Sequence, residues 1–163
     1  MSKDENNAKT ITLGSLLSTD RVLLLKGKQQ KQDVLEALIK VIADSGEYGS
    51  YDDIKWGIMH REDLMSTGIG NGIAIPHVLL PNVETPGMAL ALCPDGIPDY
   101  QSTDTVMIRM VFMLISGKNH QKTSHLKILS KIGSLFYDGR LKVAFLAAKD
   151  AEACLEILAR AES

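Results

Sequence analysis

The longest apolar stretch of the chain spans residues 106–115 and is interrupted only by Arg109. At about half of the ~20 residues needed to cross a bilayer, it cannot be a membrane span. Its β-branched residues and methionines suit a strand whose side chains are core. Residues 21–26, closed by Gly27, form a second continuous apolar run of the kind found in strands buried on both faces, and residues 88–93 form a third. The turn-rich segment 94–98, Pro-Asp-Gly-Ile-Pro, is expected to separate the last two strands.

Helical spacing alternates with these runs. Val34, Leu35, Leu38, Ile39, Val41 and Ile42 mark a helix over about 29–44, with Gly46 as its stop. Ser50 followed by Asp53 resembles a capping arrangement for a helix over 51–63, which puts Arg61 at that helix's end. A further helix is expected to open at Thr123 or Ser124. Leu126, Leu129, Ile132, Gly133 and Phe136 would form its apolar stripe, with His125 in the first turn. Residues 138–148 and 151–159 read as two closing helices. Strands alternating with helices predict an α/β layered domain, with strand order left open.

Composition narrows the function classes. The chain has 163 residues, 45% of them hydrophobic, and a net charge of −2, so one domain with a sizeable core is the default and a nucleic-acid partner is disfavoured. The single domain is expected over 11–163, after a polar lead-in, residues 1–10, too poor in apolar groups to offset the entropy of ordering it. That lead-in lacks the apolar centre of a signal peptide, which makes a cytoplasmic location the expectation. Cys93 and Cys154 stand alone in apolar settings and are expected as buried free thiols, neither a disulfide framework nor a metal site.

The chemistry concentrates between Arg61 and His77. Reversible phosphoryl transfer suits histidine, because a neutral imidazole is nucleophilic near pH 7 and phosphohistidine gives its group up readily. Such a site needs a fixed ring, a cationic or N–H-rich cradle for the phosphoryl oxygens, and access for a second protein. Pro76 restrains the backbone beside His77. Ser66, Thr67, Gly68, Gly70 and Gly72 form a loop whose main chain could come close to an anion. Arg61 can supply a charged fork, and His125, in the first turn of its helix, would stand where N–H groups and the helix dipole favour phosphate.

The run Arg61-Glu-Asp-Leu-Met-Ser-Thr-Gly-Ile-Gly-Asn-Gly-Ile-Ala-Ile-Pro-His77 closely resembles the signature of the type-2 enzyme IIA family of the bacterial phosphotransferase system, which covers fructose, mannitol and nitrogen-regulatory members. The form Ser-Thr-Gly-Ile-Gly-Asn-Gly-Ile-Ala-Ile-Pro-His looks most like the nitrogen-regulatory branch. The resemblance runs from about Leu13 to the C-terminus and is weak outside this segment and His125-Leu-xx-Leu129. It implies that His77 carries the phosphoryl group, that Arg61, sixteen residues earlier, contacts the phosphate, and that His125 lines the site. It also implies a three-layer sandwich, a mixed five-stranded sheet flanked by helices on both faces. The implied donor is a small histidine-phosphorylated carrier of the HPr type, handing its group over in line without cofactor or metal. The implied target is a IIB domain, or a transporter or kinase regulated by the charge. Family members usually follow the histidine with glycine or another small residue; here Val78 stands there.

Other readings compete with these. Arg61 could simply pair with Glu62 or Asp63, worth about 0–1 kcal/mol at a surface. His125 could simply pack on Leu129, and His60 and His120 are expected as loop or surface residues. The glycine loop lacks the Lys-Ser or Lys-Thr ending of a nucleotide-binding loop and has Ile73 where a dinucleotide fingerprint requires glycine. No HExxH motif is present, and His120 and His125, five apart, fall on different helical faces, which disfavours a metal hydrolase. Whether the closing helices carry a homodimer surface is not legible.

Overall fold

The computed structural model describes residues 11–119 and 121–163; the lead-in 1–10 and His120 lie outside the described residues. The elements in chain order are α1 (Leu13–Leu16), a 3-10 turn (Thr19–Arg21), β1 (Val22–Leu24), α2 (Lys31–Asp44), α3 (Tyr51–Leu64), β2 (Gly68–Gly70), β3 (Ile73–Ala74) and β4 (His77–Leu80). They are followed by β5 (Gly87–Ile97), β6 (Ile108–Gly117), α4 (Lys122–Leu135), α5 (Gly139–Leu146) and α6 (Ala151–Ala161). No helix among the described residues is long and apolar enough to cross a membrane.

The apolar run at 106–115 becomes β6, at the centre of a mixed sheet ordered β1-β5-β6-β3-β2. β5 lies antiparallel to β6, β1 parallel to β5, β3 parallel to β6 and β2 antiparallel to β3. β4 also pairs with β6 in parallel, in the same register as β3: Ile73 faces Met110, and His77 faces Leu114. The two segments are one lane, interrupted where Pro76 has no N–H to give to a ladder. The expected five strands are thus five lanes, one of them split just before His77.

Side chains alternate across this sheet, and each face carries its own core. On one face α2 and α3 set Val34, Leu38, Ile42, Ile54 and Ile58 against Ala74, Ala91, Val111 and Met113. On the other, α1, α4, α5 and α6 set Leu13, Ile132, Phe136, Phe145 and Leu158 against Ile73, Ile75, Leu90 and Phe112. The result is the expected helix–sheet–helix sandwich. Cys93 and Cys154 are buried free thiols, one in each core.

Local signals place the helix starts well. The Ser50 hydroxyl accepts from the Asp53 N–H at 3.2 Å, and Asp138 and Asp150 cap α5 and α6 in the same way. Three expectations need correction. The turn at 94–98 is no chain reversal; β5 continues to Ile97 through a register shift, with Gly96 at φ 88°, and the reversal falls in residues 98–107. The glycine segment is no open loop: β2 and β3 form a hairpin around Asn71 and Gly72, both at positive φ. In α4, Leu126 is 66% exposed, and the inward stripe is His125, Ile128, Ile132 and then Phe136. Leu129, Ile132 and Phe136 of the expected stripe do face the core, and His125 is buried in the first turn where Leu126 was expected.

Candidate functional site

Glu62, on the inner side of the last turn of α3, is buried and meets Lys31 Nζ at 2.9 Å. Its carboxylate accepts from the Thr67 N–H at 3.0 Å and from the Thr67 hydroxyl at 2.7 Å, which also lies 2.8 Å from the Tyr100 hydroxyl. Lys31 Nζ sits 4.5 Å over the Tyr100 ring. Thr67, held in this way, accepts the Ile75 N–H on its carbonyl at 3.0 Å, and the Ile75 carbonyl in turn meets His77 Nδ1 at 2.6 Å. A chain of hydrogen bonds therefore runs from a buried ion pair to the imidazole and fixes the ring.

The last bond also assigns the proton. A carbonyl oxygen only accepts, so His77 Nδ1 carries the hydrogen and Nε2 is left with its lone pair. Burial lowers the pKa of His77 below the ordinary imidazole range, and the Arg61 charge adds to the effect; the Ile75 carbonyl and Glu62 oppose it. The ring is half-buried on β4, whose recorded pairing is with β6 alone. The result is a neutral, nucleophilic Nε2 at the sheet margin.

His125 stands beside it, the ring centres 5.2 Å apart and tilted by 57°. It is only 4% exposed, and its Nδ1 lies 2.7 Å from the hydroxyl of Ser116, itself fully buried on β6. Burial, with the nearby charge of His77 when protonated, pushes the His125 pKa down to about 4. The Arg61 guanidinium donates through Nη1 to the Met65 carbonyl at 2.8 Å, and among the described residues it makes no ion pair with Glu62 or Asp63. His77 and His125 are thus set side by side from two elements, and Arg61, at the end of a third, is near enough for its charge to lower the His77 pKa.

Several groups of the glycine segment are engaged within the fold. The Ser66 hydroxyl donates to the Gln101 carbonyl at 2.6 Å, the Thr67 hydroxyl belongs to Glu62 and Tyr100, and the Gly70 N–H donates to the Ser102 hydroxyl at 2.9 Å. Gly72 lies five residues along the lane from His77, about 16 Å at strand rise, as the turn residue that needs positive φ. These groups fasten the hairpin to the loop 101–107, with Thr67 additionally positioning His77. Gly68 is required for closeness: a Cβ there would run into the Gln101 carbonyl oxygen and stand 2.8 Å from the Ser102 Cα. Gly68→Ala should lower stability by about 1–3 kcal/mol by overpacking. Urea unfolding would show this, and a transition matching wild type would contradict the packing role.

Val78 does not narrow the approach to His77. It points to the opposite face of the sheet, where a Cβ on Gly57 of α3 would stand 2.8 Å from its methyl. A small residue on the helix makes room for the branched one on the strand.

Because His125 is buried as the neutral form, acid favours the unfolded chain, where the ring protonates more readily. Its folded pKa, about 4, lies below the value near 6.5 expected when unfolded. The unfolded state therefore takes up the proton first as pH falls. Stability is complete above pH ~6.5 and should decline by about 3 kcal/mol on reaching pH ~4. Urea titrations of wild type and His125→Gln across that window should show a shallower pH dependence in the variant; parallel curves would contradict it.

A layered α/β domain that fixes one neutral imidazole at the margin of its sheet, backed by a second imidazole and an arginine, defines a class of histidine-centred domains. The chain belongs to the family described as "Phosphoenolpyruvate-dependent sugar phosphotransferase system, EIIA 2", whose model matches residues 15–161. The fructose-specific EIIABC component of the phosphotransferase system from Bacillus subtilis is 31% identical over 143 residues, covering 88% of this chain and only 22% of that protein. A nitrogen regulatory protein of Pseudomonas aeruginosa is 28% identical over 148 residues, covering 91% and 95% of the two chains. The crystal structure of nitrogen regulatory protein IIA-Ntr from Neisseria meningitidis superposes with a TM-score of 0.79 at 24% identity, covering 90% of this chain and 98% of that one. That likeness bears out the fold.

Sequence reasoning missed Lys31, Glu62, Tyr100 and Ser116. The first three meet from distant parts of the chain, and no local spacing announces them. Ser116 left a trace, as a hydroxyl directly after the apolar run 110–115.

Proposed function

We propose that the chain is a phosphocarrier that accepts a phosphoryl group on Nε2 of His77 from a histidine-phosphorylated carrier protein of the HPr type. It then either passes the group on or displays it as a signal. The observation that carries this reading is the 2.6 Å bond from His77 Nδ1 to the Ile75 carbonyl, which leaves Nε2 unprotonated and aimed. In the transfer, a new Nε2–P bond forms as the donor's N–P bond breaks and its electron pair returns to the donor ring, while the proton stays on Nδ1, donated to the Ile75 carbonyl. No general base is required, so the remaining demand is electrostatic. Arg61 and the N–H of His125 meet it by facing the phosphoryl oxygens. Large apolar side chains left exposed beside these residues in the chain, Leu64 and Met65 at 71% and Leu126 at 66%, suit contact with a protein donor.

The chain is consumed and regenerated stoichiometrically, and it works in the cytoplasm, where such donors are. The motif and the nitrogen regulatory relative support a regulatory role, in which about −1.5 to −2 units of charge at a protein-binding surface change the affinity for a transporter or kinase. The 31% identity to a fructose-specific component supports a second reading, delivery of the group to a IIB domain. Incubation with phosphoenolpyruvate and the general phosphotransferase components should add one acid-labile phosphoryl group, placed by 15N NMR on Nε2 of His77. An unchanged mass, or a label on another residue, would overturn the proposal. Pull-downs with unphosphorylated and phosphorylated protein then separate a sugar permease domain from other targets.

A further inference from the structure

We propose that Ser116 is a positioning residue that decides which nitrogen of His125 carries the proton. The inference rests on His77 being the phosphorylated residue, since it concerns what His125 offers to a group bound there. The Ser116 hydroxyl lies 2.7 Å from His125 Nδ1, with Ser116 fully buried and His125 nearly so. Two arrangements satisfy that distance. Either the hydroxyl donates to an unprotonated Nδ1 and the ring proton is on Nε2, or Nδ1–H donates to the hydroxyl oxygen and Nε2 is bare.

The buried surroundings separate them. This bond is the one hydrogen bond recorded for the Ser116 side chain among the described residues. If Nδ1 donated, the serine's own proton would be stranded in the apolar interior, and an unmatched donor there is costly. If the hydroxyl donates, only spare acceptor lone pairs go unused, which is cheaper. The second ring points the same way. His77 is held with Nε2 unprotonated by the Ile75 carbonyl, and the two ring centres are 5.2 Å apart. With the rings this close, a bare Nε2 on His125 would leave that ring without an N–H to offer a phosphoryl group on His77. With Nε2 protonated, the same atom becomes a hydrogen-bond donor to the phosphoryl group. The protein thus gives two adjacent neutral imidazoles opposite tautomers: a backbone carbonyl makes His77 an acceptor at Nε2, and a serine makes His125 a donor there.

The tautomers are read directly by 15N NMR of imidazole-labelled protein, before any phosphorylation. In wild type, His77 should report Nδ1–H and His125 Nε2–H. In Ser116→Ala, His125 should lose its single tautomer. The rate of His77 phosphorylation should fall by about 10-fold or more, as when a group orienting a functional histidine is removed. Ser116→Thr, which keeps the hydroxyl, should restore both. An Nδ1–H signal from His125 in wild type overturns the proposal even if no variant folds. It is equally overturned if Ser116→Ala slows phosphorylation with the His125 tautomer unchanged, or changes neither. Failure of the phosphocarrier reading would show separately, as wild type that takes up no phosphoryl group.

Discussion

Replacing His77 by alanine is expected to abolish phosphoryl uptake completely, with the fold intact. In-line transfer needs an imidazole nitrogen that is unprotonated, unpaired and reachable by a second protein. His77 Nε2 is unprotonated because its partner nitrogen is committed to the Ile75 carbonyl, and the residue is partly exposed. His125 cannot substitute: at 4% exposure it is closed to a macromolecular donor, and its Nδ1 is engaged by Ser116. Little stability should be lost, since β4 is held by its ladder with β6. Mass spectrometry after incubation with phosphoenolpyruvate and the general components, with circular dichroism as the folding control, checks both halves. Labelling of His77→Ala at the wild-type level would remove the basis of the proposed function.

Arg61→Ala should slow phosphorylation of His77 by about 10²–10³-fold, the usual effect of deleting one preorganised donor to a developing anion. The guanidinium is held by its bond to the Met65 carbonyl at 2.8 Å, and the proposed function has its other N–H groups meet a phosphoryl oxygen. Arg61→Lys keeps the charge and loses the fork, so it should fall between wild type and alanine. The Arg61 charge also helps to lower the His77 pKa, so alanine should raise that pKa in an NMR titration. A rate within a factor of two of wild type, with the pKa unmoved, would return Arg61 to the role of an ordinary surface residue. Rapid-quench measurement of the first turnover makes the comparison.

Most of the architecture was legible because it is written in local periodicity. Continuous apolar runs marked β1, β5 and β6, helical spacing marked α2, and the Ser50 capping arrangement marked α3. What misled was also local. Pro94 to Pro98 reads as a turn in any propensity scheme, yet β5 continues into it and pairs with β6 as far as Ile97. Gly68 to Gly72 reads as a loop for anions, yet Ser66, Thr67 and Gly70 are committed to Gln101, Glu62 and Ser102. The local signal for the hairpin that does form is Asn71-Gly72, both at positive φ.

Residue types and spacing were enough to specify a layered α/β domain and to nominate His77, Arg61 and His125, because strand and helix periods, caps and a long contiguous motif are properties of neighbours in the chain. Only the folded molecule could reveal the protonation of His77, the burial of His125 and the route from Lys31 through Glu62 and Thr67 to Ile75. Each of those depends on which carbonyl, carboxylate or hydroxyl from a remote segment is packed within hydrogen-bond distance in a water-poor interior. There, an unmatched polar group costs enough to dictate where every proton sits.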